Sequence, residues 1–222
     1  MDKRSMIEKM IRSRRVIVPE GGFILPQDEA AEGGCGVIGM ASSVQIAARH
    51  MLESLIQMRN RGNGKGGGIA AVGLAAEEFG VSQEVLENDY LLAIAYLEPS
   101  VRPELEQAFI HNVFEVDHVV EQAHLADFTE IPELEVRPPE VVIYFVRVRM
   151  EVLGAFIAAN SLKDVPARRV EDEIVFQNTY RLNTAYYQST GEKQASVLSH
   201  GCLLYTSPSP RDRTRSRMPS SA

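Results

Sequence analysis

Two glycine-containing motifs about two dozen residues apart restrict the fold of this chain most strongly. The first is GGCGVIGM at residues 33–40, which contains Cys35. The second is RNRG at residues 59–62, followed by GKGGGIA at residues 64–70. Residues 35–41 are short and apolar enough for a buried strand, and residues 69–74 predict a second one. The two motifs therefore predict the order strand, helix, glycine turn, strand.

The residues between the motifs predict an amphipathic helix. Ser42 or Ser43 can cap its first turn, and Gly62 after Arg61 is typical of a helix C-terminus. Apolar residues recur at three- and four-residue steps and form one stripe. The stripe consists of Val44, Ala47, Ala48, Met51, Leu52, Leu55, Ile56 and Met58.

Residues 202–222 differ from the rest of the chain. They read CLLYTSPSPRDRTRSRMPSSA, which is rich in Ser, Pro and Arg and has no apolar period. Composition alone would favour a natural disordered tail. Back-translated, however, residues 202–212 and 215–222 fit two separate blocks of an adapter used in short-read sequencing libraries. We therefore interpret residues 202–222 as a non-native, disordered tail. We expect the natural sequence to be interrupted in this chain near Gly201.

Charge and cysteine content exclude several classes of protein. The formal net charge is −7, and the tail's four arginines and one aspartate leave −10 for the remainder. So acidic a body argues against nucleic acid as a partner. Cys35 is then the one natural cysteine in the chain, as expected in a reducing cytoplasm. No apolar run approaches the roughly 20 residues that cross a bilayer, so we expect no membrane partner.

The remaining sequence predicts a mixed α and β segment. Residues 1–34 form a polar leader that is extended and loop-rich, with at most a solvated helix at its basic start. Strands are expected at residues 90–97, 114–122 and 141–150, the last with Arg147 and Arg149 on one face. Helices are expected at residues 103–110 and 170–187. His111, His118 and His124 lack further ligands at metal-binding spacing, so we expect no metal and no cofactor.

The motifs around Cys35 resemble the start of a class II glutamine amidotransferase, whose nucleophile is an N-terminal cysteine. The similarity is specific over residues 33–74 and only general from there to residue 201. It implies an α+β fold, the αββα sandwich of N-terminal-nucleophile hydrolases. It also implies that glutamine is hydrolysed to glutamate and ammonia for a synthase domain or subunit. The prokaryotic glutamate synthase branch, with a long insertion, is the most similar in spacing.

The resemblance also implies roles for three catalytic residues. Cys35 would attack the glutamine amide, with its own α-amino group as the base. The pKa values of an α-amine and a thiol, roughly 8 and 8.5, permit proton transfer near neutrality. Arg61 would hold the region around the cysteine, and the Gly62 backbone would orient the α-amine. Because that amine must be free, the resemblance implies cleavage between Gly34 and Cys35.

Two family motifs are missing from this chain. Neither the Gly-His-x-Arg element that binds the glutamine carboxylate nor the His-Asn-Gly element that stabilises the oxyanion occurs between residues 69 and 201. We expect both to lie downstream in the natural protein and expect this chain by itself to be inactive. The predicted organisation is a leader at 1–34, the front of the amidotransferase domain at 35–201 with an insertion at about 81–190, and the tail.

Two other interpretations stay open. The chain could be a non-catalytic amidotransferase-like module with a regulatory or assembly role, whose leader is never removed. It could also be an unrelated α+β binding domain in which Cys35 is a small core residue, the ordinary role of a lone cysteine in an apolar segment.

Overall fold

The computed structural model describes most of the chain outside the two predicted catalytic motifs. The described residues are 3–17, 37–44, 46, 47, 50, 51, 54, 70, 71, 73–121, 138–187, 192–201, 204 and 205. They form a mixed α+β structure built on a four-stranded antiparallel sheet. The predicted α+β class is therefore confirmed at this level.

Helices of very different length surround the sheet. The α-helices are α1 (Lys3–Ser13), α2 (Gln83–Asn88), α3 (Arg102–Leu105), α4 (Met150–Asn160) and α5 (Ala167–Tyr186). Shorter 3-10 turns cover Arg14–Val16, Ala76–Phe79 and Pro99–Val101, and a π-helical stretch, Glu106–His111, continues α3. The predicted helices at 103–110 and 170–187 are confirmed. Helix α4 was not predicted, because MEVLGAFIAAN is apolar over most of its circumference and shows no helical stripe.

The main sheet consists of the strands β2 (Tyr90–Tyr96), β3 (Phe114–Glu121), β4 (Glu140–Val148) and β5 (Ala195–His200). Their order across the sheet is β3-β4-β2-β5. The first three confirm the strands predicted at 90–97, 114–122 and 141–150. The prediction for β4 was wrong at its end: the strand stops at Val148, and Arg149 instead precedes the first turn of α4.

Strand β2 lies in the interior of the sheet and is buried on both faces. Its seven residues, YLLAIAY, are all buried, as expected for a continuous apolar run flanked by two strands. On one face its side chains join a core formed with α3, α4 and α5. On the other face, Leu91 and Ala93 pack with Ile143 and Phe145 of β4, under residues of the 74–86 segment. The described fold therefore has helical cover on one face of the sheet and a short, partly helical segment on the other.

A bulge in β3 redirects its side chains. The register passes from Val116 opposite Val146 to His118 opposite Phe145, so Asp117 is an extra residue in the ladder. Val116 consequently packs against the helical side of the core, whereas Val120 packs against the opposite side. A bulge changes the face on which an alternating strand places its side chains. Here it brings Asp117 towards the start of β2.

A second, two-stranded sheet pairs β1 (Ala70–Ala71) with β6 (Leu204–Tyr205). Strand β1 is shorter and more exposed than the buried strand predicted at 69–74. Strand β6 lies in the segment predicted to be a disordered tail, so that expectation does not hold at these two residues. The physical reason is that the open edge of a strand pairs through backbone groups and accepts any extended segment.

Helix α1 packs on the body of the fold, although the leader was expected to be solvated and loop-rich. Met6 and Met10 contact the helical side of the core, and Ser13 is buried. The solvated-helix interpretation was therefore wrong for this face of α1. Met6, Ile7, Met10 and Ile11 recur at helical steps, but the sequence does not show which surface such a stripe contacts.

Candidate functional site

The three predicted catalytic residues, Cys35, Arg61 and Gly62, lie outside the described residues, so their roles stay predictions. The residues that follow Cys35 are described from Val37 onwards. Residues 37–41 belong to no strand, and the Val37 side chain is 87% exposed. The predicted buried strand is therefore wrong over these five residues. An apolar run is not sufficient for a strand, because the ladder also requires a partner with which to pair.

The prediction of a helix after this segment was wrong at its start, because Val44 and Ala47 are not helical, and it is supported only at isolated positions farther along. His50, Met51 and Ser54 are helical, and the Ser54 hydroxyl donates to the His50 carbonyl oxygen at 3.1 Å. Ser42 does not cap a helix directly. Its Oγ accepts the Val44 amide at 3.2 Å, two residues along the chain, as in a Ser turn.

The histidines do not form a metal site where they are described. The backbone oxygen of His111 accepts a hydrogen bond from Arg149 Nε at 2.9 Å, and the His118 ring lies 6.3 Å from that of Phe145. His124 lies outside the described residues. In the described part of the chain, no three His, Cys, Asp or Glu side chains come together in a way that could hold a metal ion.

The described residues do contain a carboxyl pair that sequence analysis missed. Asp89 precedes β2, Asp117 occupies the bulge of β3, and Arg147 of β4 lies between them. Arg147 donates to both oxygens of Asp117, with Nε to Oδ2 at 2.6 Å and Nη2 to Oδ1 at 2.8 Å. Its Nε is 3.9 Å from Asp89 Oδ1. No sequence signal could have revealed the pair, because the bulge that brings Asp117 to Asp89 cannot be read from alternation.

The two carboxyl groups have opposite pKa shifts. The Asp89 side chain is only 2% exposed, and its Oδ2 has no hydrogen-bond partner among the described residues. Burial, reinforced by the neighbouring Asp117 carboxyl group, raises the pKa of Asp89 to about 6. The hydrogen bonds from Arg147 lower the pKa of Asp117. Asp89 is thus the member of the pair that holds a proton near pH 6.

A second polar network lies on the helical side of the sheet. The Tyr144 hydroxyl donates to Glu106 Oε1 at 2.6 Å and lies 2.9 Å from the Tyr96 hydroxyl. Arg102 Nε donates to the same Glu106 oxygen at 2.7 Å. Burial alone would raise the pKa of Glu106, but the hydrogen bonds from Tyr144 and Arg102 lower it. Burial raises the pKa of Tyr96 to about 12, so its hydroxyl stays protonated at neutral pH.

Both networks are more typical of structural than of catalytic groups. A catalytic site needs a nucleophile or a base beside a position that substrate can occupy. Asp89 is almost fully buried, and Glu106 is already bound by two donors. The described geometry therefore provides the frame of the fold, while the candidate nucleophile lies in the segment before Val37.

Comparison with known proteins adds no family assignment: no family model, curated protein or solved structure matches this chain. Among the described residues, no helix combines the length and the apolar character that crossing a membrane requires.

Proposed function

We propose that this chain carries the nucleophile of a class II glutamine amidotransferase. In the full-length parent protein, Cys35 attacks the side-chain amide of glutamine, ammonia leaves, and water hydrolyses the thioester to give glutamate. The ammonia passes to a synthase domain or subunit, such as that of glutamate synthase. The observation that carries the proposal is the joint sequence pattern of Cys35-Gly36-Val37 with Gly39, followed by Arg61-Gly62 after a segment of helical periodicity.

The chemistry of the thiol supports this reaction. The thiolate is the reactive form of cysteine, and an α-amine on the same residue is well placed to accept the thiol proton. Gly36 leaves the approach to the sulfur free of a side chain. The chain by itself is expected to be inactive, because loss of one oxyanion donor typically costs about a hundredfold or more in rate, and the motif that supplies it does not occur between residues 69 and 201.

A second candidate function is favoured by one observation, the packing of α1 on the body. A non-catalytic amidotransferase-like module with a regulatory or assembly role would keep its leader. Buried contacts between the leader helix and the body are expected in a module that keeps its leader. The two candidates differ in whether Cys35 acquires a free α-amino group.

Labelling at Cys35 separates these candidates. Full-length parent protein is treated with the glutamine-analogue electrophile 6-diazo-5-oxo-norleucine, and its denatured mass is measured before and after. An active amidotransferase is expected to start at Cys35 and to gain one label, with the loss of glutaminase activity. The matched variant, Cys35→Ser, is expected to gain none. An uncut chain whose Cys35 does not react would contradict the proposal and support the regulatory module.

A further inference from the structure

We infer that residues 3–17 are a permanent structural part of the body, which remains bound as a separate peptide if the chain is cut between Gly34 and Cys35. The inference rests on the proposed function only in that the proposed function implies cleavage between Gly34 and Cys35. The binding surface is the side of α5 that carries Glu173 and Gln177, together with the adjoining core, and its occupant is the chain's own leader.

The strongest contact is an ion pair between the leader and α5. Arg14 donates through Nε and Nη2 to the two carboxylate oxygens of Glu173, each at 2.8 Å. The Glu173 side chain is only 3% exposed. The Arg14 guanidinium also lies 4.5 Å from the centre of the Phe176 ring. Loss of the leader would break this two-pronged ion pair, whose charge-assisted hydrogen bonds are stronger than neutral ones.

A buried hydrogen-bond chain continues the same contact. Gln177 Nε2 donates to Ser13 Oγ and to Glu173 Oε1, each at 3.0 Å. Ser13 Oγ in turn donates to the backbone oxygen of Met10 at 2.7 Å. Two of these groups belong to the leader and two to α5, so departure of the leader would break a network that is satisfied on both sides. Water would have to replace each of these partners once the leader had left.

Apolar contacts complete the surface. Met6 and Met10 pack against the helical side of the core, and Lys9 lies 3.5 Å from Asp164 in the turn between α4 and α5. Ile7 and Ile11 lie beside Met6 and Met10 on α1 but outside the contact with the core, and are 45% and 59% exposed. The helix therefore binds by one face, as a bound peptide does.

The test separates retention of the leader from cleavage at Cys35. A site-specific protease sequence is inserted between Gly21 and Gly22 of the full chain, which is then cut and passed over a size-exclusion column in native buffer. The leader peptide is expected to co-elute with the body and to separate in denaturant. Elution of the free leader in native buffer would overturn the inference. The result does not depend on whether the protein cleaves itself, so a failed amidotransferase proposal remains distinguishable.

Two matched variants locate the anchor. Arg14→Ala is expected to speed release of the cut leader by about tenfold or more, because it removes two charge-assisted hydrogen bonds. Arg15→Ala removes the same charge one residue away, where the described residues offer no ion-pair partner, and is expected to leave the rate unchanged. If Arg14→Ala does not fold, Arg14→Lys keeps the charge without the two-pronged geometry and is expected to shift release in the same direction. Equal release rates for the Arg14 and Arg15 variants would refute the anchor.

Discussion

The sheet body and the segment that follows Cys35 differ in how far their apolar side chains are buried. In the body, residues 73–201 where described, β2 is fully buried and both faces of the sheet are packed. In residues 37–47 where described, Val37, Met40, Val44 and Ile46 are all exposed. The Cys35 motif, which predicts the chemistry, is therefore adjacent to a segment whose apolar side chains are exposed. The buried strands of the body contain no recognisable catalytic motif. The observed fold and the proposed function therefore rest on separate parts of this sequence.

The largest expected contrast comes from the same substitution made in each region. Ile94 lies in β2 and is 0% exposed, whereas Ile46 is 44% exposed. Ile94→Ala should lower the free energy of unfolding by about 2–5 kcal/mol, because it removes buried methyl groups and leaves a cavity. Ile46→Ala should change it by less than about 0.5 kcal/mol. Urea denaturation of both variants measures the difference, and equal losses would show that residues 37–47 are packed after all.

The next contrast concerns polar groups within the body. Tyr144→Phe removes the hydroxyl that donates to Glu106. Because the acceptor is charged, the free energy of unfolding should fall by about 1.5–3 kcal/mol. The control is Tyr180→Phe, whose hydroxyl has no hydrogen bond among the described residues. It should be nearly neutral. If the two variants lost the same stability in thermal or urea unfolding, the Tyr144 network would contribute nothing specific.

A third prediction assigns the pH dependence of stability to the body. The pKa of Asp89 is raised from 3.8 to about 6. The folded chain therefore retains a proton that the unfolded chain releases between about pH 4 and 6, and stability falls as pH rises through this window. Asp117, whose pKa is lowered, acts in the opposite direction at lower pH. The stability that comes from the protonated Asp89 carboxyl group is thus lost as the pH rises above about 6.

Asp89→Asn should remove this dependence, because an amide stays neutral at every pH. Relative to the parent chain, the variant should gain about 1–2 kcal/mol of unfolding free energy between pH 5 and pH 8, measured by urea denaturation at both values. Asp164→Asn is the control, since Asp164 is 69% exposed and pairs only at the surface. It should show no pH-dependent gain. A parent chain more stable at pH 8 than at pH 5 relative to Asp89→Asn would reverse the assigned sign.

The strands could be predicted because their apolar composition and their burial agree. YLLAIAY is apolar without interruption and became the buried strand β2, and the alternation of residues 114–121 became β3. The bulge at Asp117 and the packing of α1 could not be predicted. Both depend on contacts between residues far apart in sequence, Asp117 with Asp89 and Arg14 with Glu173. The apolar run at 37–41 was misread because composition does not specify a pairing partner. The catalytic pattern at Cys35, Arg61 and Gly62 remains a prediction.

The smallest expected contrast compares two serines that make the same kind of hydrogen bond. Ser82 Oγ accepts the Val85 amide at 3.2 Å at the start of α2, and Ser42 Oγ accepts the Val44 amide at the same distance in a turn. Ser82→Ala should cost about 1 kcal/mol, because it removes a helix cap in a segment that covers the sheet. Ser42→Ala should cost only a few tenths, because an exposed turn exchanges this bond for one with water. Urea denaturation measures the loss of unfolding free energy in both variants. A loss at Ser42 as large as that at Ser82 would mean that the segment after Cys35 unfolds together with the body. The two regions would then differ in how densely they are packed but not in whether they unfold cooperatively.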